Sequence, residues 1–398
     1  MTAALPDADW RHWPGMDRLL TALDAPAGET RFVGGCVRDV LLGIEVSDVD
    51  LATRLSPQEV LARLSKARIK AVPTGIAHGT VTAVIHGRPI QVTTLRRDVE
   101  TDGRHAIVSF TDDWREDAAR RDFTINALSA EPDSGALHDY FGGLADIEAR
   151  RVRFIGDPLE RIAEDHLRIL RFFRFHARFG AGEPDASGTD ACAARANDLM
   201  ALSRERIADE LLKLLALPDP APTVALMIER DILKPVLPEI ASAEGLKRLI
   251  AREQAAGQSP HPIRRLAALL PDDAELAGVI AARLRLSKAH RARLVGALGE
   301  APARPRDGAY RLGPVTAIDR LLLRDGEVEA IRDLASWTPP RLPLKGGAIV
   351  ARGIEAGPDV ARLMQEVEGR WIAEGFPGKK RVDEIADELV AQALRSRQ

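Results

Sequence analysis

The stretch RFVGGCVRDVLLGIEVSDVDLAT, Arg31–Thr53, decides how this chain is read. Its first half is a short apolar run ending in Gly34-Gly35. That is the pattern of a strand entering a turn whose backbone N–H groups can approach phosphate, with Arg38 following to pair with it. Its second half, SDVDLAT, alternates as a strand does. On a strand, Asp48 and Asp50 leave the same face. Two carboxylates so placed repel unless a cation sits between them, and a hard cation with oxygen ligands, Mg²⁺ being the usual one, resolves the repulsion. Two such ions can lower the pKa of an attacking hydroxyl and neutralise a leaving pyrophosphate. An Asp-x-Asp triplet alone is commonly a solvated turn, and the glycine turn upstream gives this one its meaning. A dinucleotide fingerprint is excluded, because it needs G-x-G-x-x-G and no third glycine stands at that spacing.

Around this stretch the first third reads as mixed α/β. TVTAVIHGRPIQVTTL carries two β-branched runs joined by HGRP, a hairpin signal. From about Asp157 the periods become helical, with breaks at Gly180–Ala191, Gln254–Pro262, Glu300–Tyr310 and Trp337–Gly347. The chain has 398 residues, too many for one core, so several domains are expected. Aromatics are only 4%, which leaves packing to Ala, Leu, Ile and Val and favours helices. No apolar run approaches the roughly 20 residues of a membrane span, and the N-terminus lacks the pattern of an export signal. The cysteines, Cys36 and Cys192, are too few for a disulfide framework or a four-cysteine zinc site. Cys36 reads as a small buried residue, and a reducing cytoplasm is the expected location. A net charge of -3 does not advertise nucleic-acid binding, so any such contact must come from local basic faces.

Two further segments carry charge in a pattern. In REDAARRDFTINALS, Arg115–Ser129, paired Arg120 and Arg121 precede Asp122 at what reads as a helix start. In DPLERIAEDHLRILRFFRFHARFG, Asp157–Gly180, Asp157-Pro158 is a helix start and Gly180 a stop. At about 100° per residue, Ile162, Ile169, Leu170, Phe173 and Ala177 share an apolar face. Arg168, Arg171, Arg174 and Arg178 form a stripe on the other side, with Glu164 among them and Asp165 at the rim.

GGCVRDVLLG followed by SDVDLAT resembles the first signature of the class II nucleotidyltransferases, the family of CCA-adding tRNA nucleotidyltransferases and bacterial poly(A) polymerases. REDAARRDFTINALS is similar to the family's second signature. The resemblance is strong over Arg31–Gly180; beyond it only the helical character and the tail match. It implies an α+β head, a nucleotidyltransferase palm with a mixed or antiparallel sheet and helices, followed by all-helical neck, body and tail domains. The expected boundaries are 1–145 for the catalytic head, 146–220 for the neck, 221–300 for the body and 301–398 for a tRNA-binding tail.

The resemblance implies roles residue by residue. Asp48 and Asp50 would be catalytic and hold Mg²⁺. Gly35, Arg38 and Arg121 would bind the nucleotide, with Asp122 and Asn126 holding the sugar or local backbone. Asp165 and Arg168 would read the base, and Arg171 and Arg174 would hold the triphosphate. On their Watson–Crick edges C and A both present an amino donor beside a ring-nitrogen acceptor, which an Asp and an Arg can match, while G and U present the reverse order. The stretch Val72–Asp98, with His78-Gly79-Thr80 leading into a strand pair, resembles the CCA-adding version rather than the basic segment of poly(A) polymerases. His78 reads as a turn residue without a catalytic role. Leu95–Trp114, with Asp102, Gly103, Arg104 and His105, matches the family's flexible loop, which argues against a CC-only enzyme.

The expected activity is thus addition of C, C and A to tRNA from CTP and ATP, with the helical domains gripping the acceptor and T arms. Basic patches at Arg283–Leu294 and Gly378–Arg381 suit RNA phosphates. Poly(A) polymerase, CC-only addition and an inactive RNA-binding protein are the alternatives. No membrane and no obligatory protein partner are implied.

Overall fold

The computed structural model describes residues 4–101 and 106–396. The chain divides into two compact units, Met1–Ala243 and Glu244–Gln398.

The first unit is built on a mixed seven-stranded sheet. Its strands are β1 (Thr30–Val33), β2 (Asp50–Thr53), β3 (Lys70–Gly75), β4 (Thr80–Ile85), β5 (Arg88–Thr94), β8 (Ser129–Ala130) and β9 (Leu137–His138), in the order β3-β4-β5-β2-β1-β8-β9. A separate ladder pairs β6 (Arg96–Thr101) with β7 (Ala106–Phe110). Neighbours are antiparallel except β2 and β5, where Asp50 lies opposite Gln91 and Thr53 opposite Thr94. The hairpin read from HGRP is present: Ile85 pairs with Arg88, and His86 and Gly87 both take positive φ, 46° and 81°. A two-residue loop matched to the strand twist needs that combination.

Helices α1 (Met16–Ala22), α2 (Gly35–Leu41), α3 (Pro57–Lys66), α4 (Trp114–Ala119) and α5 (Gly143–Glu148) accompany the sheet. Helix α3 starts with a full capping box between Ser56 and Glu59 and buries Val60 and Leu64. Phe32 of β1 is fully buried, with its ring edge-on to Trp10 at 4.7 Å between centroids.

Beyond the sheet come α6 (Pro158–Glu164), α7 (Arg168–Phe179), α8 (Ala186–Ala194), α9 (Arg204–Leu215) and α10 (Ala221–Glu229). The sequence pattern predicts one helix from Asp157 to Gly180, but the structure breaks it at Asp165, whose φ and ψ are -152° and 105°. No Gly or Pro marks the break. Asp165 makes it chemically: its carboxylate accepts from the Leu167 N–H at 3.1 Å, competing with helical bonding as a capping aspartate does. Ile162, Ile169, Leu170 and Phe173 are buried as predicted, while Ala177 is half-buried.

Six of the ten phenylalanines gather here. Phe123 lies 5.1 Å from Phe154 and 5.0 Å from Phe175, and Phe154 stacks on Phe172 at 5.4 Å. Phe173 and Phe179 extend the cluster. A chain poor in rings therefore spends them between the second signature and α7, which fixes α7 against the head.

The second unit is helical in its described residues, from α11 (Glu244–Ala255) through α12 (Pro262–Ala267), α13 (Ala274–Arg283), α14 (Lys288–Ala297), α15 (Pro305–Leu312), α16 (Pro314–Leu323), α17 (Val328–Ser336), α18 (Gly346–Val350) and α19 (Pro358–Ala373) to α20 (Lys379–Arg395). Buried Arg264 and Arg265 share Glu253, and Arg264 and Arg293 share Asp319. Trp371 anchors an apolar cluster with Ile349, Val367 and Ile385. Among the described residues no helix is long and apolar enough to cross a membrane.

Candidate active site

The site begins where β1 ends. Gly34 takes φ 69° and ψ -121°, and a Cβ there would sit 2.8 Å from the Arg121 Nη1. Only glycine both adopts this backbone and lets the guanidinium lie against it. Gly35, the glycine singled out from the sequence, opens α2 with ordinary backbone, and a Cβ on it would meet Arg38 at a comfortable 3.7 Å. The conformation of the turn therefore depends on Gly34, not on the Gly35 that the resemblance singled out.

Asp50 opens β2, half-buried, while Asp48 lies two residues before it, exposed, with the intervening Val49 buried. The Ser47 hydroxyl donates to Asp48 at 2.9 Å. Burial pushes the Asp50 carboxyl above its ordinary range; Arg121 opposes this and Asp48 adds to it. Mutual repulsion in an all-oxygen donor pair is what a hard cation relieves, so these residues fit Mg²⁺. Among the described residues no group of three or more His, Cys, Asp or Glu forms a metal cluster. A cation here would take its remaining oxygens from substrate and water, the usual habit of Mg²⁺. Cys36 sits behind the strand, fully buried, its thiol pushed up to about 12 by desolvation, which makes it inert packing.

The second signature differs from the expected helix start. Helix α4 begins earlier, on the Asp113 cap, and has ended by Arg120. Arg120 and Arg121 instead turn back onto Asp117, at 2.8 and 3.3 Å. Burial works to raise the Asp117 carboxyl, but Arg121 and Arg120 outweigh it and hold it low. Asp122 follows in buried surroundings. It accepts from Arg171 Nε at 2.9 Å, Asn126 Nδ2 at 2.8 Å and the Phe123 N–H at 2.9 Å. Asn126 Oδ1 in turn accepts from Arg38 Nη1 at 2.5 Å, and Arg38 Nε donates to Asp39 at 2.8 Å. Arg171, Asp122, Asn126, Arg38 and Asp39 thus form one chain from α7 to α2.

An open cleft of about 410 Å³ lies over this chain. Of the seven residues expected to bind nucleotide, Gly35, Arg38, Arg121, Asp165, Arg168 and Arg171 line it and Arg174 does not. Arg174 is turned onto buried Glu210 of α9, at 2.6 Å, with its guanidinium 4.7 Å from the centre of the Phe175 ring. Arg38 lines the wall but is largely used, stacked 4.1 Å from the Phe179 ring centre and bonded as above. Arg121 and Arg171 keep more exposure and are the guanidinium groups best able to reach a polyphosphate. Arg168 is held by Glu164 at 2.5 Å and by the Arg161 carbonyl at 2.9 Å. Asp165 accepts from Arg206 of α9 at 2.8 Å. Glu210 and Arg206 were not visible as site residues; their spacing of four on one helix was the available signal. The expected loop residues Asp102, Gly103, Arg104 and His105 lie outside the described residues, between the paired strands β6 and β7. His78 ends a short 3-10 turn and is exposed, and its carbonyl accepts from Arg96.

A family profile described as "Poly A polymerase head domain" matches residues 30–153, and one described as "Probable RNA and SrmB- binding site of polymerase A" matches residues 189–244. The chain is 35% identical over 373 residues to the human "CCA tRNA nucleotidyltransferase 1, mitochondrial", covering 88% of this chain and 85% of that one. It is 31% identical over 399 residues to the "CCA-adding enzyme" of Lacticaseibacillus paracasei, covering 94% and 96%. The crystal structure of the Bacillus stearothermophilus CCA-adding enzyme in complex with CTP superposes with a TM-score of 0.77 at 26% identity, covering 96% of this chain and 98% of that one. A mixed-sheet head with this glycine turn, aspartate pair and arginine-lined cleft, carried by a chain this similar over most of its length, belongs to the class II nucleotidyltransferase family, among its CCA-adding tRNA nucleotidyltransferases.

Proposed function

We propose that this chain adds C, C and A in turn to the 3′ end of tRNA, using CTP and ATP and releasing pyrophosphate, without a nucleic-acid template. The observation that carries the reading is the placing of Asp165 and Arg168 on either side of a helix break, at one cleft with Arg121 and Arg171. Asp165 accepts from the exocyclic amino group of C or A, and Arg168 donates to the adjacent ring nitrogen. Arg121 and Arg171 hold the phosphates, and Gly34 lets Arg121 sit close to the turn. Asp48 and Asp50 would hold Mg²⁺, which when bound supplies activation of the tRNA 3′-hydroxyl and neutralises charge on the departing pyrophosphate. Arg174, tied to Glu210, supports α7 rather than touching substrate.

In this reading residues 1–145 form the catalytic head, 146–220 the neck carrying the base reader, and 221–300 and 301–398 the body and tail that grip the acceptor and T arms by shape and backbone. The test is nucleotide choice. With each triphosphate supplied alone to a tRNA lacking its end, Asp165→Ala is expected to lower preference for CTP over UTP by about tenfold or more, the scale of one base-edge contact. Unchanged selection would remove the base-reading assignment.

A further inference from the structure

We infer that Arg206 is a positioning residue for nucleotide selection, holding Asp165 so that one acceptor site of its carboxylate is left for the base. The inference rests on the reading of Asp165 as the base's amino acceptor.

The geometry is specific. One nitrogen of Arg206, Nη2, donates to both carboxylate oxygens of Asp165, at 3.1 Å to Oδ1 and 2.8 Å to Oδ2. Oδ1 also accepts from the Leu167 N–H at 3.1 Å. A carboxylate offers about four lone-pair positions, two on each oxygen. Oδ1 has both occupied and Oδ2 has one occupied, so a single position on Oδ2 remains. An amino group of C or A can donate into it, whereas a carbonyl of U or G meets only another acceptor. The terminal torsion of an aspartate is broad and intrinsically weakly held. Without Arg206, Oδ1 would regain a free position, the carboxylate would be free to turn, and water could serve as intermediary for the wrong base.

Helix α9 is built to deliver this contact. Glu210, one turn beyond Arg206, accepts from Arg174 at 2.6 Å and faces Arg171 at 3.9 Å. The same face of α9 therefore holds α7 through Glu210 and the break before it through Arg206. The Arg206 and Asp165 side chains keep 30% and 28% exposure. The pair is partly exposed, so it contributes less to folding than a fully buried one, and the nucleotide ratios distinguish a part in selection from a part in stability.

The test uses full-length protein, with CTP or UTP supplied singly to a tRNA lacking its 3′ end and ATP or GTP supplied singly to a tRNA already ending in C, C, and with kcat and KM measured for each. Arg206→Ala is expected to raise KM for CTP and ATP and to lower the kcat/KM ratio of CTP over UTP, and of ATP over GTP, by about tenfold. Arg206→Lys is expected to recover most of that ratio, because the contact needs only one nitrogen. A purely structural loss reduces the active fraction, lowering kcat equally for all four nucleotides and leaving the ratios unchanged. Should Arg206→Ala fold poorly, Arg206→Met carries the same expectation, since it keeps the length of the stem and donates no hydrogen bond. Unchanged ratios in folded Arg206→Ala or Arg206→Met would overturn the inference. Asp165→Ala run alongside separates the two claims. If it loses selection while the Arg206 variants keep it, Arg206 alone is misassigned; if it too keeps selection, the base reader itself is wrong.

Discussion

Asp50→Asn is expected to abolish nucleotide transfer, lowering kcat by about 10³-fold or more, while leaving tRNA binding close to wild type. The magnitude is that of removing a group which acts on charge developing in the transition state. The same substitution is expected to keep or raise the thermal midpoint in metal-free buffer at neutral pH. The sign follows from the carboxyl's surroundings. Burial, with Asp48 adding to it, raises the folded-state pKa of Asp50 above its unfolded value. Between the two values the unfolded chain binds fewer protons, so the stability associated with this group is lost as pH rises through the folded pKa. An amide carries no such penalty. Turnover retained in Asp50→Asn would remove it from the chemistry, and a clear fall in the metal-free midpoint would contradict the repulsion described between Asp48 and Asp50.

Asp122→Ala is expected to destabilise the first unit by about 2 kcal/mol, the scale of losing hydrogen bonds to a buried charged group. Asp122 is 7% exposed and accepts four hydrogen bonds from three residues, so its loss leaves the Arg171 guanidinium, the Asn126 amide and the Phe123 N–H short of a partner. Because Asn126 also receives Arg38, the disturbance runs on into α2. Burial works against the charged form of Asp122, but Arg171 and Asn126 outweigh it and hold its pKa low. Its contribution is therefore fully present above the pKa of an unfolded aspartate and is lost as pH falls through the folded value. Urea unfolding followed against pH should show the wild-type advantage over Asp122→Ala shrinking toward strong acid. Asp122→Ala combined with Arg171→Leu should recover part of the loss, since the guanidinium that lost its carboxylate is then gone as well. A midpoint unchanged in the single variant would mean that this chain of side chains does not hold α7 to the head.

Much of the head was legible because its signals are local. The β4–β5 hairpin follows from a two-residue turn, whereas SDVDLAT reads as a strand from its start and β2 begins only at Asp50, so Asp48 stands ahead of the strand and not on its face. What was not legible depends on partners distant in sequence. Arg168, Arg171 and Arg174 look equivalent along a helical stripe, yet Arg174 is drawn off by Glu210, 36 residues away. Arg38 reads as a phosphate ligand, but Asn126, 88 residues on, and the ring of Phe179 claim its guanidinium. The break at Asp165 has no glycine or proline to announce it, and the contact that steadies it comes from Arg206, 41 residues downstream. Gly34 and Gly35 are the same letter, and only a φ of 69° and the guanidinium of Arg121 tell them apart.

The measurement that bears most directly on the whole account is the product ladder. Purified protein, Mg²⁺, CTP, ATP and a tRNA lacking its 3′ end should give products longer by one, two and three nucleotides, ending in C, C and A, with nothing beyond. ATP alone should give no extension of that substrate. Long adenosine tracts from ATP alone, or a ladder that stops at two cytidines when ATP is present, would contradict it.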